Sequence, residues 1–72
     1  MPQQQLKLES DQQTYDIRLF DINGAVKLVY ETMCDGDEQA IDKLSAIKDV
    51  AYTSFEITCG DALIANGLRH QL

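Results

Sequence analysis

Two consecutive stretches of the chain, residues 14–20 and 25–33, alternate between apolar and polar side chains. A period of two is typical of half-buried β-strands. The dipeptide Asn23-Gly24 between them is a strong signal for a β-hairpin, because both residue types tolerate positive φ. We therefore predict a hairpin at this place. Its expected core-facing residues are Tyr15, Ile17, Leu19, Val26, Leu28 and Tyr30.

The apolar positions change to the spacing of one helix face between residues 34 and 51. Acids stand where a helix start needs a cap: Asp35 with Glu38 fits a capping box, and Asp37 is the alternative N-cap. We therefore predict one helix with an acidic first turn. Its expected core-facing residues are Ala40, Ile41, Leu44, Ile47 and Ala51.

Period-two alternation returns over residues 51–59. Gly60-Asp61 then suits a two-residue type II′ turn, which needs glycine at its first central position. The apolar run from Ala62 predicts a short last strand that ends at Gly67. Together these elements predict an α+β fold, a small antiparallel sheet in ββαββ order with one helix packed on one face.

Three segments carry a resemblance to a known group of domains: YDIRLFDINGAV, DGDEQAIDKL and FEITCGDALIANG. In this combination the chain resembles small bacterial ββαββ domains of unknown function, over roughly residues 15–67. The resemblance implies one helix on one face of a small antiparallel sheet. It implies no activity, because no catalytic residue belongs to the shared pattern.

A chain of 72 residues has room for one hydrophobic core. We predict a single domain over residues 14–67, between a flexible N-terminal tail at 1–13 and a C-terminal tail at 68–72. The alternation from Leu6 to Glu9 leaves a short edge strand in the N-terminal tail as an alternative. So small a core makes a homodimer or a firmly bound partner a natural source of further stability.

The sequence carries no sign of a membrane span or of export. No apolar run approaches the roughly 20 residues of a transmembrane helix, and the N-terminal residues lack the apolar centre of a secretory signal. We therefore expect a cytoplasmic protein. In that reducing compartment Cys34 and Cys59, which lie outside any C-x-x-C pattern, are expected to be free thiols, with a disulfide as the alternative.

The formal charge of −6 is concentrated in one stretch, since residues 31–42 hold five acids and no base. Lys and Arg do not cluster, which argues against direct binding to DNA or RNA. The acids exceed what helix capping needs, and Glu38 and Asp42 repel one another at i, i+4. We predict a surface that engages a basic partner; a capped and solvated helix start is the alternative. The predicted partner-binding residues are Glu31, Asp35, Asp37, Glu38 and Asp42.

Catalytic, metal and nucleotide patterns find little support. His70, the single histidine, lies near the C-terminus, and neither cysteine has a recognisable histidine partner, so we expect no enzyme. The acids after Asp35 miss the spacing of a calcium loop, because its twelfth position is Ala46 rather than Glu. Two cysteines and one histidine fall short of four zinc ligands, and no phosphate-binding glycine motif occurs. We expect neither a metal nor another cofactor.

Four apolar residues fall on the sheet face away from the predicted helix, and exposed together they suit the pairing of subunits or the binding of a ligand. Cover by the tail or by loops is the alternative. These residues are Phe20, Ile22, Val29 and Met33.

Two functional hypotheses follow from these surfaces. The preferred one is a non-catalytic protein-binding module whose acids engage a basic surface, by analogy with small acidic phage anti-defence proteins that inhibit nucleic-acid-binding proteins. The other is a structural or assembly subunit that forms a homodimer through the second sheet face or through an edge strand.

Overall fold

The structure, a computed structural model, describes residues 12–71. Residues 1–11, which hold most of the predicted N-terminal tail and its alternative edge strand, lie outside the described residues. The predicted α+β class and the ββαββ order are confirmed. The elements are β1 (Gln13–Phe20), β2 (Val26–Cys34), α1 (Asp37–Ser45), β3 (Ser54–Cys59), β4 (Ala62–Leu68) and a 3-10 helix (Arg69–Gln71).

The strands form one antiparallel sheet in the order β2-β1-β3-β4. β1 is therefore a central strand, and its alternating residues Tyr15, Ile17 and Leu19 are only 0–2% exposed. α1 and the loop after it cover this side of the sheet, and we call the opposite side the second face. The buried core consists of Tyr15, Ile17, Leu19, Cys34, Ala40, Leu44, Tyr52, Phe55 and Ile57.

The loop between β1 and β2 is one residue longer than a two-residue turn. The N–H of Asp21 donates to the carbonyl of Ala25 at 2.9 Å, which leaves residues 22–24 as the loop. The Asp21 carboxylate accepts the N–H groups of Asn23 and Ala25 at 2.8 and 3.0 Å. In this loop the residue with positive φ is Gly24, at 87°. The predicted hairpin is confirmed, but the turn is a type I turn closed by a left-handed glycine.

A bulge next to this loop moves Val26 off the expected face. Leu19 pairs with Leu28 whereas Phe20 pairs with Val26, so Lys27 is an extra residue in the ladder. An inserted residue of this kind reverses the alternation of side chains. Val26 is consequently 53% exposed opposite Phe20, contrary to the prediction from simple alternation.

The start of α1 is capped differently from the prediction. The N-cap residue is Gly36, and no side chain makes a cap hydrogen bond. Gln39 instead accepts the backbone N–H of Asp35 through its side-chain oxygen at 2.6 Å. Neither the Asp35–Glu38 capping box nor an N-cap at Asp37 forms, so these carboxylates are not used in capping.

The apolar spacing continues past the end of α1. Within the helix Ala40 and Leu44 are buried, whereas Ile41 is 37% exposed. Ile47 belongs to the following loop and is half-buried against the core, and Ala51 is exposed. The helical pattern is therefore longer than the helix, because the loop also contributes side chains to the same core.

Residues 68–71 belong to the fold. Leu68 is the last residue of β4, and its N–H donates to the side-chain oxygen of Gln71 at 2.9 Å. The guanidinium of Arg69 lies 4.7 Å from the centre of the Tyr52 ring, a cation–π contact. Residues 68–71, predicted as a tail, are thus held by a strand pairing and two side-chain contacts.

The turn between β3 and β4 has the predicted type II′ geometry, with a φ of 60° at Gly60 and no positive φ at Asp61. Replacing Gly60 by alanine is expected to lower the free energy of unfolding by about 1–2 kcal/mol, because an L side chain is strained at positive φ. Asp61→Ala is the matched control, since Asp61 is exposed in the same turn and has no positive φ. Urea denaturation measures the difference, and equal losses in the two variants would contradict backbone strain as the cause.

Candidate functional site

One end of the sheet gathers acids from segments that are far apart in sequence. Gln13 pairs with Cys34 and Cys59 pairs with Ala62, so the start of β1, the end of β2 and the β3–β4 turn lie together. The Cys59 thiol donates to the side-chain oxygen of Gln13 at 3.2 Å, in keeping with this adjacency. α1 also begins here. We call this region the acidic end, and its exposed acids are Asp35, Asp37, Glu38 and Asp61.

Two of the five acids predicted to bind a partner lie outside the acidic end. Asp42 is exposed further along α1. Glu31 is exposed on the second face, where it lies directly opposite Asp16 of β1. Like charges opposite each other in a sheet are destabilising. The predicted surface therefore extends from the acidic end to both faces of the sheet.

Few bases balance these carboxylates. Within residues 12–71 the structure contains a single ion pair, between Arg18 Nη1 and Glu56 Oε1 at 4.0 Å. Lys43, the base of α1, donates instead to Thr32 Oγ1 at 2.7 Å and to the carbonyl of Met33 at 3.2 Å. In the described part of the chain, the acids of the acidic end are thus not neutralised by ion pairs.

Asp37 also has a structural role, because its carboxylate accepts the hydroxyl of Tyr15 at 2.8 Å. This hydrogen bond, followed by the burial of the ring and the charge of Asp37, raises the pKa of Tyr15 from 10.0 to about 12. The bond joins β1 to α1 across 22 positions of sequence. No local pattern in the sequence signals it.

The raised pKa of Tyr15 makes stability fall with pH in the alkaline range. Between pH values of about 10 and 12 the unfolded chain has lost the Tyr15 proton while the folded protein keeps it, so the free energy of unfolding decreases as pH rises. Below about pH 10 the contribution is fully present. We expect Tyr15→Phe to flatten this decrease, as measured by urea denaturation across the window. A variant that loses stability as steeply as the wild type would contradict the assignment.

The two thiols lie on strands to either side of β1. Cys34 is buried and Cys59 is half-buried, and both are free. At a strand spacing of about 4.8 Å their Cα atoms are about 10 Å apart, beyond the roughly 7 Å that a disulfide allows. The prediction of free thiols is confirmed, and the physical reason is the strand between them.

No metal-ligand cluster forms within residues 12–71, since no group of three or more His, Cys, Asp or Glu side chains is placed to hold an ion. His70 is exposed on the 3-10 helix after β4. That helix lies at the opposite end of the sheet from Cys34 and Cys59, so the histidine and the thiols are not brought together.

The candidate dimer residues are brought together in part. Phe20, Val29 and Met33 share the second face, where Val29 and Met33 are 55% and 50% exposed. Ile22 lies apart from them in the β1–β2 loop and is 83% exposed. Strand pairing and the bulges bring further exposed apolar residues to this face, namely Val26, Leu63 and Leu68.

Sequence reasoning missed two acids of the surface, Asp16 and Asp61. Asp16 belongs to a strand read only for its apolar neighbours, and Asp61 to a turn read only for its geometry. Each joins the other acids through sheet register, which places Asp16 opposite Glu31 and the Gly60-Asp61 turn beside the start of β1 and the end of β2. In the sequence, the only signal for these two residues is their charge, which does not show which acids are neighbours in the fold.

The described residues contain no helix that is both long and apolar enough to cross a membrane. Comparison with protein-family models, with curated proteins and with solved structures gives no match. The resemblance to small bacterial ββαββ domains therefore stays a prediction.

Proposed function

We propose that this chain is a non-catalytic protein-binding module whose acidic end engages a basic surface on another protein. The observation that supports the proposal most is the convergence of acids from the loop between β2 and α1, the start of α1 and the β3–β4 turn at one end of the sheet. Within residues 12–71 no Lys or Arg side chain forms an ion pair with them.

The arrangement is unfavourable for the isolated protein and favourable in a complex. Mutual repulsion of like charges lowers the stability of the folded state, as at the directly opposed pair Asp16 and Glu31. A partner that presents Lys and Arg relieves the repulsion, and the field of the grouped acids raises the rate of encounter. Because the acids are spread over separate segments, they match a surface with spaced bases.

Within this class, an inhibitor of a nucleic-acid-binding protein, of the phage anti-defence type, fits the chemistry best. A groove that binds nucleic acid presents spaced Lys and Arg side chains to successive phosphates. Carboxylates held on a small rigid sheet can form ion pairs with these Lys and Arg side chains in place of the phosphates. The module would then compete with nucleic acid for the same groove.

Affinity capture from a lysate of the source organism tests the proposal with two baits, the wild type and the triple variant Asp35→Lys, Glu38→Lys, Asp61→Lys. We expect the wild type to retain basic proteins that elute as salt rises, because the screening length falls from about 8 Å at 0.15 M to about 3 Å at 1 M. Added DNA should displace them. Capture of the same proteins by the reversed bait, with the same elution, would show that the proposal is wrong.

A structural or assembly subunit is the second candidate, and the exposed apolar residues of the second face favour it. In this case the chain forms a homodimer that does not depend on salt. We expect Val29→Asp to dissociate that homodimer, as measured by size exclusion with light scattering. A wild-type monomer at high protein concentration would contradict this candidate and leave the first one standing.

A further inference from the structure

Within residues 12–71, the outer edge of β2 is open along part of its length. β2 is the terminal strand of the sheet, and its neighbour among residues 12–71 is β1 alone. The carbonyl of Met33 accepts Lys43 Nζ at 3.2 Å, so this carbonyl points away from β1. Backbone groups of alternate residues in an antiparallel strand point to the same edge. The N–H and C=O groups of Val29 and Glu31 consequently also point outward, beyond the reach of the Lys43 contact at Met33.

A groove of about 450 Å³ runs beside this open edge. One wall consists of Leu28 and Tyr30 from β2, and the other of Ala46, Ile47 and Val50 from the end of α1 and the loop after it. Tyr30 remains 40% exposed. A free strand edge beside an apolar groove provides what strand addition uses, namely main-chain hydrogen bonds and space for alternate side chains.

Carboxylates border the groove and the open edge. Asp49 lines the groove, and Asp42 lies four residues before Ala46 and thus on the same side of α1. Glu31 is exposed on β2 at the open edge. Lys43, the base in the lining, already donates two hydrogen bonds to β2. The charge of the surroundings therefore favours an occupant that carries bases.

We infer that an extended peptide segment of the partner, with alternating apolar and basic residues, adds as a strand to the open edge of β2. Every second side chain of the segment enters the groove between Tyr30 and Ile47. The remaining, basic side chains point to the second face, where Glu31 is exposed. This inference rests on the proposed function, because it names the part of the basic partner that the module binds.

Synthetic peptides with capped termini and a fluorescent label test the inference, with anisotropy as the readout. The probe is VKVRVKV, and a grouped peptide of the same composition, KKRVVVV, is its control. Two further forms of the probe carry backbone N-methyl groups, one on the valines and the other on the basic residues. Only one of these sets of N–H groups faces β2 in an added strand. We expect one N-methylated form to bind about tenfold more weakly than the other, and the grouped peptide to bind about tenfold more weakly than the probe.

A matched pair of protein variants tests the same contact from the other side. Val29→Pro removes the outward N–H of β2 without removing a hydrogen bond to β1, and Val29→Ala keeps it. We expect the proline variant to bind the probe about tenfold more weakly than the alanine variant. Circular dichroism checks the fold of both variants. If the proline variant is unfolded, the N-methylated peptides alone test strand addition to β2.

The outcomes distinguish this inference from the proposed function. Equal binding of the probe, the grouped peptide and both N-methylated forms, or no binding of any peptide, overturns strand addition at β2; the two capture baits then still decide the proposed function. A glutamate version of the probe that binds as tightly as the probe contradicts the preference for bases, and with it the proposed function. Amide shifts on binding at residues 27–31 support the inference, and shifts confined to the edge of β4 overturn it.

Discussion

Replacing Leu44 by alanine is expected to lower the free energy of unfolding by about 2–5 kcal/mol. Leu44 is fully buried, and α1 has nine residues and no side-chain cap. So short a helix is unstable by itself, and its packed side chains, Ala40 and Leu44, hold it on the sheet. A domain of 72 residues is stable by about 4–11 kcal/mol, so this loss is a large part of the total.

Ile41→Ala is the matched control on the same helix, because Ile41 is 37% exposed. We expect it to lose less than about 1 kcal/mol, since little apolar area is taken from the core. At about 4–8 °C per kcal/mol, thermal denaturation should show a decrease of about 10 °C or more for the Leu44 variant. Similar decreases in both variants would contradict the packing of α1 described above.

Reversing Asp35, Glu38 and Asp61 to lysine is expected to weaken binding to the basic partner roughly 100-fold. An exposed ion pair contributes about 0.5 kcal/mol, so the loss of three attractions and the gain of three repulsions of similar size amount to about 3 kcal/mol. The association rate should fall more than the dissociation rate rises, because these charges act mainly before contact. Surface plasmon resonance on a partner obtained by affinity capture separates the two rates. Asp37 is kept in this variant because it accepts the Tyr15 hydroxyl.

The neutral variant Asp35→Asn, Glu38→Gln, Asp61→Asn is the control for the reversal. Electrostatic attraction predicts a graded response, in which neutralisation causes about half of the change in binding free energy caused by reversal. Within the reversed variant, Glu38→Lys also places a positive charge at the positive start of a helix. This costs about 0.3–1 kcal/mol of stability, so thermal denaturation accompanies each binding measurement. A neutral variant that binds as weakly as the reversed one would indicate a structural cause.

The alternation in β1 and the glycine at the β3–β4 turn show how far local pattern reaches. Ile17 is apolar between two charged neighbours, and in the structure it is fully buried on a central strand. The sequence predicts Gly60 at the first central position of a type II′ turn, and its φ of 60° agrees. Both assignments depend on properties of a few adjacent residues, namely side-chain period and backbone sterics. Such properties are present in any short piece of the chain.

Two predictions from local pattern are wrong, the helix cap and the face of Val26. In both, a contact from elsewhere in the chain or a competing neighbour determines the structure. The Asp35–Glu38 capping box did not form because Gln39 binds the Asp35 N–H, and Asp37 instead accepts the hydroxyl of Tyr15. Val26 moved to the second face because of a bulge in the pairing with Phe20. None of these arrangements follows from period or composition, since each depends on which partner is within reach.

The element order, the α+β class, the core face of β1 and the free thiols could all be inferred from the chain alone. These features follow from side-chain period, turn chemistry and spacing, which are local or nearly so. Folding in three dimensions was needed to bring Asp61 to the acids at the start of α1, to set Asp16 opposite Glu31, and to form an apolar groove beside the open edge of β2. The reason is that sheet register and the docking of one helix determine which surface residues become neighbours, and surface residues carry no period of their own.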